Sequence, residues 1–188
     1  IPGLVLFVAN GLFTGKFGQI KSDLNLKIDQ ANIEQSTYSG NLSLNDFHLG
    51  LILQDTALFQ KVTMSGRING KGLSEETADF KLLGKVNSIG VLKYNYTNIS
   101  TDARFATQLF NGSLSIDDPN LKLNATGSIN IRKGQELISI RAQLDTLFAD
   151  RLNLTKDPLF VSTRADIDTQ GLKLDSLFGK VILRNASI

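Results

Sequence analysis

The chain has no cysteine, no tryptophan, one histidine and three prolines in 188 residues. Without cysteine it forms no disulfide and runs no thiolate chemistry. A zinc site needs more His or Cys ligands than the lone His48 supplies. A Ser-His-Asp triad would have to use the same residue, and no Gly-x-Ser-x-Gly elbow accompanies it. His48 reads as a solvated surface side chain on a strand. Long apolar runs are missing too. "LVLFVA" at 4–9 is about a third of the roughly 20 residues that a bilayer crossing needs. It lacks the basic start and cleavage site of a signal peptide, and reads as a buried strand. Charge of one sign is not concentrated anywhere: 20 basic and 18 acidic residues leave +2. No block of like charge points to nucleic acid or to an anionic membrane surface.

Other chemistry is equally thin. There is no phosphate-cradling Gly-x-x-x-x-Gly-Lys and no dinucleotide fingerprint. Asp117, Asp118 and Asn120 are the residue types of a calcium loop, but no loop of about 12 residues with a closing Glu follows. That stretch reads as a turn. Asp145, Asp166 and Asp168 could supply a carboxylate pair for glycoside cleavage, though no Trp offers a sugar platform. No cofactor, metal or catalytic residue is expected, and the chain does not read as an enzyme. It opens Ile1-Pro2-Gly3 without a Met and is expected to be a piece of something longer or a processed chain.

What is present is period-2 alternation, the mark of strands with one apolar face. Leu24, Leu26 and Ile28 alternate with Asn25, Lys27 and Asp29. Leu42 and Leu44 follow, then Leu49 and Leu51. Val62, Met64, Gly66 and Ile68 keep one parity, as do Phe80, Leu82, Gly84 and Val86. Leu114 and Ile116, Leu121 and Leu123, Ile129 and Ile131, Ile138 and Ile140, and Val161 with Ile167 continue it. About a dozen short strands are expected, with at most two short helices. Helical turns are candidates near 54–61, 73–81, 144–150 and 174–180. Asn10-Gly11, Ser39-Gly40, Asn69-Gly70, Asn111-Gly112, Lys133-Gly134 and Gln170-Gly171 are turn, bulge or strand-entry signals. Asp118-Pro119-Asn120 suggests a type I turn, with Pro fixing φ.

The stripe repeats. "YSGNLSLNDFHLGLIL" at 38–53 overlays "FNGSLSIDDPNLKLNA" at 110–125 with its apolar parity intact, from Tyr38 on Phe110 to Leu51 on Leu123. A weaker echo relates 62–73 to 161–172. The whole of 1–188 reads as one unit with an imperfect internal repeat. An apolar strand face must be covered. The pattern fits two solutions: a second sheet packed on the first, or one sheet that curls and leaves an apolar groove.

Several strand motifs carry a family resemblance: Gly70-Lys71-Gly72-Leu73, Tyr94-Asn95-Tyr96-Thr97-Asn98-Ile99, Leu109-Phe110-Asn111-Gly112, Asp117-Asp118-Pro119-Asn120, and Leu152 to Asp157. From about residue 13 onward the chain resembles a central segment of the TamB-like proteins of the Bacteroidetes, within the AsmA-like group. The resemblance implies an all-β, elongated, curved antiparallel sheet with a taco-like hydrophobic groove. It implies a periplasmic segment of a Gram-negative envelope protein anchored in the inner membrane. The implied partners are phospholipid acyl chains, a BamA-like outer-membrane barrel (TamA) engaged outside this segment, and outer-membrane protein substrates. The implied roles are lipid movement between membranes and outer-membrane protein assembly. Candidate groove-lining residues are Leu42, Leu44, Leu49, Leu51, Leu114, Ile116 and Leu121, with Leu123, Ile129, Ile131, Ile138, Ile140, Val161 and Ile167.

Overall fold

The computed structural model describes residues 4–52, 55–72, 77–132, 134–171 and 178–187, without the side chains of Leu4, Phe7 and Ile52. It is one open, curved antiparallel sheet of eleven strands in sequence order. The first six are β1 (Leu4–Gly15), β2 (Gly18–Asp29), β3 (Thr37–His48), β4 (Phe59–Lys71), β5 (Asp79–Val91) and β6 (Tyr94–Ala106). The rest are β7 (Leu109–Asp118), β8 (Leu121–Asn130), β9 (Leu137–Phe148), β10 (Phe160–Gln170) and β11 (Phe178–Ser187). Among the described residues helix is limited to a four-residue α1 (Leu49–Ile52) and one 3₁₀ turn at Ile33–Gln35. Among the described residues no helix is long and apolar enough to cross a membrane.

Each strand pairs only with its neighbours in sequence, so β1 and β11 carry free edges. No second layer covers the sheet among the described residues, and the two-sheet alternative is not what this chain builds. The strands match the expected number but are longer than expected, at 10 to 13 residues. The reason is the Gly dipeptides. Asn10-Gly11, Ser39-Gly40, Asn69-Gly70 and Asn111-Gly112 lie inside strands. The polar partner faces out and the glycine continues the apolar parity. The actual two-residue hairpins are Lys16-Phe17, Leu92-Lys93, Thr107-Gln108 and Pro119-Asn120. Leu92 and Lys93 both take positive φ (51° and 64°), the combination that matches strand twist in a type I′ turn.

Two glycines are required by geometry. Gly112 and Gly127 face each other across β7 and β8 with φ of 156° and 147°. A Cβ on Gly127 would lie 2.0 Å from the Ser139 carbonyl oxygen, and one on Gly112 2.4 Å from the Ala103 Cα.

Register shifts occur between Leu44 and Phe47, Phe59 and Val62, Thr63 and Met64, Lys122 and Leu123, and at Val161–Arg164. All lie toward the end of the sheet that carries the β3–β4, β5–β6, β7–β8 and β9–β10 connections. Bulges bend strands and add right-handed twist, so this end supplies much of the curvature. Of the expected helical turns, 144–150 is the end of β9 and the start of its loop. Near 54–61, Thr56, Ala57 and Leu58 form a turn and Phe59 starts β4. Of the two remaining stretches, 73–81 and 174–180, residues 73–76 and 174–177 lie outside the described residues, and the rest leads into β5 and β11.

Candidate functional site

Side chains on one face of a sheet line up along the cross-strand register. The registers resolve the apolar face into rungs that run across the strands. One rung carries Leu26, Tyr38, Phe80, Phe105, Phe110 and Ile129, and ends on Ile138. Phe80 and Phe105 stack with ring centroids 5.4 Å apart, and Phe105 meets Phe110 edge-on at the same distance. The next rung carries Leu24, Ile68, Leu82, Ala103, Ile140 and Ile167. The third is built of small residues, among them Gly66, Gly84, Thr101, Ala125, Ala142 and Ala165, with Leu42 and Leu114 between them. The fourth returns to large side chains: Leu44, Met64, Val86, Ile99, Ile116 and Leu123.

Large rungs shield the narrow one. Leu82 Cδ1 lies 3.1 Å from the position of a Cβ on Gly66 and 3.4 Å from one on Gly84. Ala103 is buried to 1% exposure although no layer lies over it. Hydroxyls on this face are neutralised by neighbouring strands, since an unpaired one would cost free energy. Thr101 Oγ1 donates to the Ser113 carbonyl at 2.9 Å and Ser22 Oγ to the Ala9 carbonyl at 3.0 Å. Leu83, on the opposite face, is 57% exposed.

Where β6 begins and β7 and β9 end, a polar cluster and a loop close the apolar face. Asp118 is buried to 1% exposure. It accepts from Tyr94 Oη at 2.5 Å, from Thr97 N and Oγ1 at 2.9 Å each, and from Asn120 N at 2.9 Å. Burial pushes its carboxyl pKa up, and the bonds from Tyr94, Asn120 and Thr97 outweigh burial, leaving it below the usual value. Burial, with Asp118 nearby, raises the phenols of Tyr94 and Tyr96. The β9–β10 loop then folds back. Leu152 is fully buried, Asn153 Nδ2 donates to the Leu92 carbonyl at 3.0 Å, and Arg151 lies over the Phe148 ring at 4.4 Å. At the opposite end, Arg104 bonds Asp79 through Nε and Nη2 at 2.7 and 2.6 Å and lowers its carboxyl pKa.

A trough of about 1160 Å³ crosses the sheet from β3 to β11, and it opens on the polar face. Its lining comes in runs of three consecutive residues, such as Ser65-Gly66-Arg67, Leu83-Gly84-Lys85 and Ser100-Thr101-Asp102. Alternation points the outer two of each run one way. On β10 and β11 Arg164, Asp166 and Arg184 line it while Ala165 and Leu183, on the apolar face, do not. The floor is therefore the backbone of the small-residue rung, and the walls are polar side chains with one leucine, Leu83, among them. A twisted sheet is saddle-shaped, hollow on each face along a different direction.

The structure brings Leu42, Leu44, Leu114, Ile116, Leu121, Leu123, Ile129, Ile138, Ile140, Val161 and Ile167 onto the one apolar face. Only Leu42 and Leu114 border the trough. Ile131 lies just past the end of β8, 44% exposed. Leu49 and Leu51 belong to α1 and not to a strand. The overlay of 38–53 on 110–125 holds rung for rung from Tyr38/Phe110 to Leu44/Ile116. It parts after Asp46/Asp118, where β3 runs on into α1 and β7 turns at Pro119. The candidate list took nothing from β4, β5 or β6, although Met64, Ile68, Phe80, Leu82 and Val86 carry the same alternation and build the centre of the face. His48 ends β3, where its N–H donates to the Phe17 carbonyl at 2.6 Å. Asp166 is tied to Arg184 and, at 3.9 Å, to Arg141, while Asp168 accepts from Ser139 Oγ at 2.6 Å. No family model, curated protein or solved structure matches this chain.

Proposed function

We propose that the chain is a segment of a TamB-like, periplasm-spanning protein whose apolar sheet face carries phospholipid acyl chains between the inner and outer membranes. One observation carries this reading: an apolar face continuous over nine or more strands, with no protein layer over it among the described residues. Such a face needs an apolar companion. Each methylene that leaves a bilayer costs about 0.8 kcal/mol in water. A face made of Leu, Ile, Val and Phe offsets that cost through contacts that are weak, uniform and free of chemistry, which is what continuous movement requires. The polar opposite face keeps the sheet solvated. TamA, or another BamA-like barrel, would be engaged by parts of the parent chain outside this segment.

The test is photo-crosslinking in cells from Leu114 and Ile129, with Ser115 on the polar face as the control. Lipid adducts at the first two positions and none at Ser115 are expected. Leu114→Asp and Ile129→Asp should block lipid passage while the sheet still folds. Absence of lipid adducts from both apolar positions sinks the reading. A specific observation favours a second reading, a scaffold for outer-membrane protein strands. β1 has a free edge and contains no Lys, Arg, Asp, Glu or Pro from Leu4 to Gly15, so nothing on it discourages β-augmentation. Crosslinks from β1 to barrel substrates, without lipid adducts on the apolar face, would select that reading.

A further inference from the structure

We infer that the trough on the polar face is a binding site for an extended acidic glycan, a hydroxyl-rich chain bearing carboxylate or phosphate groups. Charge is the first ground. Arg67, Lys85, Arg141, Arg164 and Arg184 line the trough against two carboxylates, Asp102 and Asp166. Those three net positive charges exceed the +2 of the entire chain, so the sheet gathers onto one hollow a balance that the sequence disperses. Both carboxylates are already occupied. Asp166 is held by Arg184 and Arg141, and Asp102 by Lys81, which lies outside the lining, at 2.9 Å. Among the described residues Arg67, Lys85 and Arg164 form no ion pair. Arginine is suited to carboxylate and phosphate through its planar fork of donors.

The second ground is what stands between the cations. The central walls are hydroxyls and amides, including Ser100, Ser113, Ser115, Asn124, Thr126 and Gln143. These groups pair with hydroxyls as donor and acceptor at once. No Phe or Tyr lines the trough, so there is no platform for stacked bases. The backbone of these strands is spent on the sheet ladder, so a peptide crossing them finds no edge to pair with. The trough runs over nine strands, about 40 Å at the usual strand spacing, long enough for several sugar units in line. The site is independent of the lipid reading, because it lies on the opposite face.

Isothermal titration of the purified chain at low salt, with four polymers, tests this. Polygalacturonate and a phosphate-bearing dextran supply the two anions on hydroxyl-rich chains. Neutral dextran supplies hydroxyls alone and poly-glutamate supplies charge alone. At least one acidic glycan should bind, at least tenfold tighter than poly-glutamate, with no detectable binding of neutral dextran. Which of the two binds tells carboxylate from phosphate. Arg67→Ser and Arg164→Ser should each weaken binding about tenfold, with an unchanged circular-dichroism spectrum. Lys85→Ser gives a third reading should either of those variants fail to fold. Ile129→Asp, on the far face and outside the lining, should leave glycan binding as it was. Equal binding of poly-glutamate, no binding of either acidic glycan, or folded Arg67 and Arg164 variants that bind at full strength would overturn the inference.

Discussion

Burial works against Asp118, and its neighbours more than reverse the penalty. A carboxylate with a lowered pKa stabilises the fold above its unfolded value of about 3.9 and loses that contribution as pH falls through the folded value. The acid limb of the stability curve should therefore flatten in Asp118→Asn. The same variant should lose about 2–4 kcal/mol at neutral pH, because Tyr94 Oη and the Thr97 donors lose a charged acceptor in a buried place. Urea unfolding at pH 7 and at about pH 2.5 measures both effects, and a parallel pair of curves for wild type and variant would refute the assignment. Gly127 is the other residue with no substitute. Gly127→Ala sets a methyl against the Ser139 carbonyl in a backbone conformation that L-residues avoid, and should destabilise by more than about 2 kcal/mol. Gly134, also at positive φ but with open space around it, is the control, with a loss of about 1 kcal/mol from φ alone.

Among the elements, the β5–β6 hairpin carries a visible local cost. Its type I′ turn holds Leu92 and Lys93 where Asn-Gly is favoured. Leu92 Asn/Lys93 Gly should raise stability by about 1 kcal/mol, read as a shift in the urea midpoint without a change in slope. The Asn153 bond to the Leu92 carbonyl survives because it uses backbone. The strands themselves were legible in the sequence, since period-2 alternation in Leu42/Leu44, Phe80/Leu82 and Leu114/Ile116 is a direct trace of the pleat. The turns were less so. Asn111-Gly112 has turn chemistry, yet it serves the face, because the same glycine that frees a turn also lets backbones approach. Leu49 and Leu51 keep strand spacing in α1, where two bulges and a reversal interrupt the ladder. The trough was not legible at all. Its five cations come from β4, β5, β9, β10 and β11, and only the register of a folded sheet sets them side by side.

At the scale of the molecule, two faces of opposite character share a backbone one residue thick. A charge on either face should therefore disturb only that face: Ile129→Asp should abolish lipid contact and spare the trough, and Arg164→Ser the reverse. Strict pairing of each strand with its sequence neighbours has a further result. The chain is a one-dimensional array, in which a hairpin is supported by the hairpin before and the hairpin after and by little else. Amide exchange should then be slowest at β5 and β6, where the aromatic stack begins, and quicken in both directions to β1 and β11. Uniform protection would contradict this. Such an array is also modular. Removing or adding two strands at a time preserves the direction of every remaining strand and the parity of every remaining side chain, so the reach of both surfaces can change while their chemistry stays fixed.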